Sequence, residues 1–216
     1  MYKCAIIGVS GSRAQGHAQA YQHITRGKLV AVSARHAAAA NAFAKKLNLT
    51  ALYTDYRQMF AEAQPDLVHV NTPPHVRAEI IHAAAEFGIP SLIVEKPIAI
   101  AGEDWSELWH LAATCPVKVA VNHQLHYHAS RVRLMQRVAV GELGAIRFID
   151  ASAAMNPATQ GTHILQSIFA FNPGGRAVRI FGQVAGRKSL ESSPRMHVCP
   201  DNALGEIVFD NNVRAN

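Results

Sequence analysis

Short apolar runs and amphipathic stretches take turns along the first 122 residues. Lys3 to Val9 predicts a strand, Gly8 to His17 a glycine-rich turn, and the run through Tyr21 and Ile24 a helix. Leu29 to Ser33 predicts a second strand, and Ala37 to Leu47 a helix with Ala40, Phe43, Ala44 and Leu47 on one face. Asp55-Tyr56-Arg57-Gln58 predicts a capping box that opens a short helix with Met59 and Phe60 inward. Asp66 to Asn71 reads as a strand, and the helix after it buries Val76, Ile80, Ala84 and Phe87 before Gly88 and Pro90 stop it. Ser91 to Glu95 follows as another strand. Asp104-Trp105-Ser106-Glu107 predicts a second capping box, with Trp105, Leu108 and Leu111 or Ala112 buried, and Pro116 leads into a strand from Val117 to Asn122. Strands alternating with helices over this length predict an α/β, doubly wound parallel sheet.

The period changes after residue 122. Ala129 to Val140 predicts a helix ended by Gly141, and Ile146 to Ser152 an alternating strand. Gly161 to Ile168 reads as a helix start with His163 in its first turn, where a histidine also serves as a polar cap. Val178 to Val184 and Leu204 to Phe209 predict antiparallel strands, with a hairpin turn at Asp210-Asn211-Asn212. The expected organisation is a parallel α/β domain over 1–122 and an α+β domain with a mainly antiparallel sheet over 123–216.

Composition narrows the class. At 49% hydrophobic and 17% charged residues the chain is globular, and it holds no apolar run of about 18 residues such as a membrane span needs. The Met-Tyr-Lys start lacks a signal peptide's apolar region, so a cytoplasmic protein with no membrane partner is expected. Cys4, Cys115 and Cys199 lie far apart in no metal spacing and are expected to be reduced. The net charge of +6 admits an anionic partner, but the basic residues form no tract interleaved with aromatics. A phosphorylated small molecule accounts for the sign, and no nucleic acid is expected.

Candidate chemistry sits at the strand ends. Gly8, Ser10, Gly11, Ser12 and Arg13 form a turn between a strand and a helix, where backbone amides and a helix N-terminus hold a pyrophosphate. Ser10 stands where the strict fingerprint has its second glycine. The second strand ends in Ser33-Ala34-Arg35 with no carboxylate nearby, which favours a 2′-phosphate over a bare ribose; Arg35 equally suits an exposed cap of the next helix. Thr72 and Lys96 each follow a strand, facing the crevice where open α/β sheets bind ligands. The bland reading of Glu95-Lys96 is a solvated pair capping its strand. His123, His126 and His128 have no common metal spacing and no carboxylate or cysteine close by. They read as a polar loop lining the crevice or as a surface loop, and no metal is expected.

Taken in order, Gly16-His17-Ala18, Thr72-Pro73 followed by His75 and Glu79, Glu95-Lys96-Pro97, Asn122, Gly141-Glu142-Leu143-Gly144 and Gly161-Thr162-His163 resemble the glucose-fructose oxidoreductase, inositol dehydrogenase and MocA (Gfo/Idh/MocA) family of NAD(P)-dependent oxidoreductases. The resemblance covers essentially the whole chain. It implies an N-terminal Rossmann domain joined to an α+β substrate domain whose open sheet forms a homo-oligomer interface. It implies hydride transfer between a nicotinamide cofactor and a secondary alcohol or carbonyl of a sugar, polyol or related small molecule; the strand end at Ser33-Ala34-Arg35 makes NADP slightly preferred over NAD. Lys96 and His163 take the catalytic positions. Asn71, Thr72, Pro73, His75, Glu95, Lys96 and Asn122 join the turn residues, Ser33 and Arg35 around the cofactor, and Gln124 and His126 join Lys96 and His163 near the substrate. An imidazole near neutral pH suits removal of a hydroxyl proton, and an ammonium suits the developing oxyanion.

Two departures stand out. Many relatives carry an aspartate four residues before the histidine, where this chain has Thr159. Relatives also continue for roughly another hundred residues, so the second domain is expected to be incomplete at Asn216, the chain being a fragment or a shortened relative. A non-catalytic sensor of dinucleotide or sugar with the same fold is the alternative function.

Overall fold

A computed structural model describes residues 1–154, 157–186 and 199–216, apart from the side chain of residue 159. The chain divides into two compact units, Met1–Asn122 and His123–Asn216. Among the described residues no helix is long and apolar enough to cross a membrane.

The first unit comprises β1 (Tyr2–Ile7), α1 (Ser12–Ala20), β2 (Gly27–Ser33), α2 (Ala37–Lys46), β3 (Ala51–Tyr53), α3 (Tyr56–Ala63), β4 (Leu67–Val70), α4 (Arg77–Glu86), β5 (Ser91–Glu95), α5 (Gly102–Thr114) and β6 (Lys118–Asn122). Its strands form one parallel sheet in the order β3-β2-β1-β4-β5-β6. The order turns back at β1 and β4, which opens a crevice beyond their carboxyl ends. Helices cover both faces, so the central strands are apolar throughout: Ala5, Ile6, Val68, Val70 and Val94 are fully buried. Met59, Phe60, Ile80 and Leu92 fill one layer, and Val9, Ala14, Val32, Ala40 and Phe43 fill the other.

Five local expectations for this unit change. The first helix ends at Ala20, and Ile24 lies outside it, 43% exposed. At α3, Asp55 accepts from the Arg57 amide as a cap, but Gln58 turns to Glu62 one turn on instead of reaching back, so half the box forms. Helix α5 starts at Gly102 with Ala101 as its uncapped first neighbour; Glu103 and Asp104 sit in the first turn, where the helix dipole favours carboxylates. Its buried stripe runs through Leu108 and Leu111, and Trp105, 52% exposed, instead pairs with Trp109 on the outer flank. Phe87 closes α4 at the surface, with its ring edge-on to buried Phe60.

The second unit comprises α6 (Ala129–Ala139), β7 (Phe148–Ile149), α7 (Thr162–Phe171), β8 (Ala177–Ala185), β9 (Asn202–Phe209) and β10 (Arg214–Ala215). Its described strands run in the order β7-β10-β9-β8. Strands β8, β9 and β10 are antiparallel neighbours, and β7 joins β10 in parallel. The alternating run from Ile146 to Ser152 yields only two strand residues, because its sole described ladder is with the equally short β10. The Asp210–Asn212 turn forms as expected, with Asn212 left-handed at φ 64° and the Phe209 amide bonded to the Val213 carbonyl. Ile168, Ile207, Phe209, Val213 and Ala215 make the core.

Candidate functional site

The crevice of the first unit begins at Gly8. Its φ is +82°, and a Cβ there would lie 3.1 Å from the Asn71 carbonyl carbon and oxygen and 3.2 Å from the Thr72 nitrogen. A side chain would force β1 and β4 apart at the point where the sheet order reverses. Gly11, at φ +104°, precedes α1, and no side chain caps that helix's first amides. A strand, a positive-φ turn and uncapped helical amides form a seat for a phosphate group.

Opposite this turn, Asn71 and Thr72 follow β4. Both polar atoms of the Asn71 amide and the Thr72 hydroxyl are buried with no hydrogen-bond partner. Buried polar atoms are seldom left unmet, so these fit a bound ligand that completes them. Pro73 leads into a short helical turn from Pro74 to Val76, with His75 exposed on it. Ser33, at the end of β2, is buried and its carbonyl accepts from the Gly8 amide; Arg35 beyond it is exposed. The cap position of α2 is His36, so Arg35 is not that helix's cap. Together these residues fit a nicotinamide dinucleotide.

A polar cluster closes the crevice at the end of β5. Glu95 Oε1 accepts from His17 Nε2 at 3.0 Å and from Asn122 Nδ2 at 2.6 Å. Burial would raise the Glu95 carboxyl, but these hydrogen bonds and the charges of His17 and Arg13 outweigh it and hold the group below its usual range. The His17 ring lies against His69, with centroids 4.6 Å apart, and the Tyr21 hydroxyl meets His69 Nε2 at 2.7 Å. Burial and the neighbouring His17 push His69 down to about 4.

Lys96 follows Glu95, joined to Pro97 by a cis peptide bond. Burial lowers its ammonium pKa, Arg13 and Arg77 lower it further, and Glu95 opposes them. Arg77, the first residue of α4, is 3% exposed. Its Nε and Nη2 donate to the Thr72 carbonyl at 3.2 and 2.6 Å, and its Nη1 donates to the Pro97 carbonyl. Burial pulls it down to about 10.

The second unit gathers its own polar residues. His163, in the first turn of α7, is 5% exposed and meets the ring of His123 edge-on at 5.4 Å. Gln124 and His126 lie on a short helical turn from Gln124 to Tyr127, and His126 Nδ1 accepts from Gln166 Nε2 at 2.6 Å. Ser167 Oγ accepts from Arg131 and donates to the His163 carbonyl, which fixes the first turn of α7. The side chain of Thr159 lies outside the described residues. Among the described residues no three His, Cys, Asp or Glu side chains gather as metal ligands.

Sequence reasoning missed His69, Tyr21 and Arg77, and placed His17 in a motif without a role. A histidine inside an apolar strand and an arginine in an amphipathic helix carry no pattern that marks them as buried. The Gly16-His17 step, one turn into the helix that leaves the glycine turn, was the available signal for His17.

The family described as an oxidoreductase family with an NAD-binding Rossmann fold matches residues 2–123. An uncharacterized oxidoreductase of Synechocystis is 26% identical over 145 residues, which is 67% of this chain and 38% of that protein. A D-xylose 1-dehydrogenase (NADP(+)) of Haloferax volcanii is 25% identical over 141 residues, 65% of this chain and 42% of that protein. The matches thus span about two fifths of these relatives' own length. The crystal structure of a myo-inositol 2-dehydrogenase from Lactobacillus plantarum shares the fold at a TM-score of 0.81 with 18% identity, covering 99% of this chain and 68% of that one. With the family matching more than half of the chain, and matching the unit that carries the Gly8 crevice, this protein belongs to the oxidoreductase family with an NAD-binding Rossmann fold.

Proposed function

We propose that this protein transfers a hydride between NADP or NAD and a secondary alcohol or carbonyl of a sugar, polyol or related small molecule. The observation that carries this reading is the crevice itself. Gly8, the uncapped amides of α1 and the unmet polar atoms of Asn71 and Thr72 converge where the sheet order reverses, with Lys96 at the neighbouring strand end. The bound nicotinamide supplies hydride acceptance or donation.

The chain's own residues supply the rest. Backbone amides after Gly8 hold phosphate oxygens, while Asn71 and Thr72 orient the nicotinamide end. Pro73 and His75 border it. Lys96 Nζ donates to the substrate oxygen and stabilises the charge that develops there, and its lowered pKa brings it nearer to exchanging that proton. Glu95, held ionised by His17 and Asn122, fixes the end of β5 from which Lys96 projects. From the second unit we assign His163 as the imidazole that takes the hydroxyl proton, with Gln124 and His126 contacting substrate; the family resemblance supports these three. NADP is preferred, on the strength of Arg35 and of a relative named as an NADP(+) enzyme. The exposed apolar residues of β8 are assigned to contact with a second copy of the chain.

The test is a turnover screen of aldoses, cyclic polyols and their keto forms with all four nicotinamide cofactor forms. Reduction or oxidation of any of them by the purified chain supports the reading. Cofactor binding without turnover of any sugar or polyol favours the sensor instead.

A further inference from the structure

Arg77 is the buried charge that the proposed reaction leaves unused. A guanidinium at 3% exposure is costly to desolvate, and three of its N–H groups are spent on two main-chain carbonyls. Helix α4 does not explain it, because a cation at a helix's first residue opposes the dipole. The carbonyls it meets do explain it. One belongs to Thr72, after β4, and the other to Pro97, after β5. These are the segments that carry the unmet Thr72 hydroxyl and the Lys96 ammonium.

We propose that Arg77 is a positioning residue: its guanidinium ties the loop after β4 to the turn after β5 and so fixes Thr72 and Lys96 in one arrangement toward a nicotinamide dinucleotide. The inference rests on reading this crevice as a cofactor site. A planar fork with fixed donor directions spans two carbonyls at once, which a single ammonium on a flexible stem does not. Arg77 also adds positive charge near Lys96, alongside Arg13 from α1 and against Glu95 from β5.

The experiment compares the full chain with Arg77→Gln and Arg77→Lys. Circular dichroism and thermal unfolding establish folding, nicotinamide fluorescence reads NADPH and NADH affinity, and NMR of reductively methylated lysines, assigned with Lys96→Arg, reads the titration of Lys96. We expect Arg77→Gln to fold, to bind both dinucleotides at least about tenfold more weakly, and to let Lys96 titrate at higher pH than in the parent. Arg77→Lys restores the Lys96 titration, because the charge is back, but leaves binding weak, because the tie is not. A merely structural arginine would change unfolding and leave the Lys96 titration of the folded variant alone.

Folded Arg77→Gln with parental affinity and parental Lys96 titration overturns the proposal. If Arg77→Gln does not fold, Arg77→Lys decides, and parental affinity in that variant overturns the tie. Should the parent bind neither dinucleotide, the cofactor reading falls and the placement of Thr72 and Lys96 toward a dinucleotide falls with it, while the Lys96 titration still reads the charge of Arg77.

Discussion

In the first unit Val68, Val70 and Val94 are fully buried between two layers of helices, whereas in the second unit Ile180 and Phe181 of β8 are 71% and 68% exposed. Both units present a sheet rich in apolar residues, but among the described residues the second leaves those of β8 uncovered. The difference lies in how each sheet is wound. Parallel strands require crossover helices, and those helices bury both faces and leave the strand ends open as a crevice. Strand β8 ends its sheet among the described residues and is exposed along nearly its whole length. The first unit therefore builds its site from its own backbone, while the second leaves apolar side chains of β8 exposed among the described residues.

The sharpest way to break this comparison is at the crevice. Lys96→Ala should lower turnover by about 10²–10⁴-fold with dinucleotide affinity changed less than about tenfold. Steady-state kinetics with fluorescence titration would show it, and parental turnover would remove Lys96 from the chemistry. Next in size is the core of the first unit. Phe60→Ala should cost about 3–5 kcal/mol in urea unfolding, because the ring is fully buried in the larger cluster. A cost below about 1 kcal/mol would mean that this core is not tightly packed.

Acid should act through the same unit. With the His69 pKa down at about 4 in the folded chain and its ordinary value at 6.5, the imidazole is neutral in both states above about pH 6.5 and its contribution is fully present there. As pH falls toward 4 the unfolded chain takes up the proton first, and roughly 3 kcal/mol of stability is lost across that window. Unfolding midpoints measured from pH 7.5 to 4.5 should fall in the parent and flatten in His69→Gln; parallel curves would contradict the assignment.

The smallest effect belongs to the second unit. Ile180→Ser should change stability by less than about 0.5 kcal/mol, since the side chain is already exposed, yet weaken self-association in light scattering. A monomeric parent, or association indifferent to this substitution, would leave the β8 face without a second copy as its cover.

Legibility followed the same division. The strands and helices of 1–122 were readable because a strand buried on both faces is a continuous apolar run, and each helix places its apolar residues at turn spacing, as Ala40, Phe43 and Ala44 do. Trp105 misled, because hydrophobicity alone does not tell a core face from a flank where two indoles pair. The strand from Ile146 shrank to two residues because alternation says nothing about whether a partner strand is long enough to extend the ladder. Glycine-rich turn and strand-end lysine were visible as motifs. Arg77 and His69 were not, and Glu95, His17 and Asn122 were visible only as separate motifs, since their meeting depends on which strand ends become neighbours, and sheet order is set by tertiary packing.

The measurement that bears most directly on the crevice is a paired titration of the chain and its Gly8→Ala variant with NADPH and NADH, both proteins checked for folding by circular dichroism. Micromolar binding of at least one dinucleotide by the parent, weakened at least about tenfold in the variant, is the predicted result, because a Cβ at Gly8 meets the Asn71 carbonyl. A folded parent that binds neither dinucleotide, or a folded variant that binds as tightly as the parent, would contradict the placement of the cofactor at the reversal of the sheet.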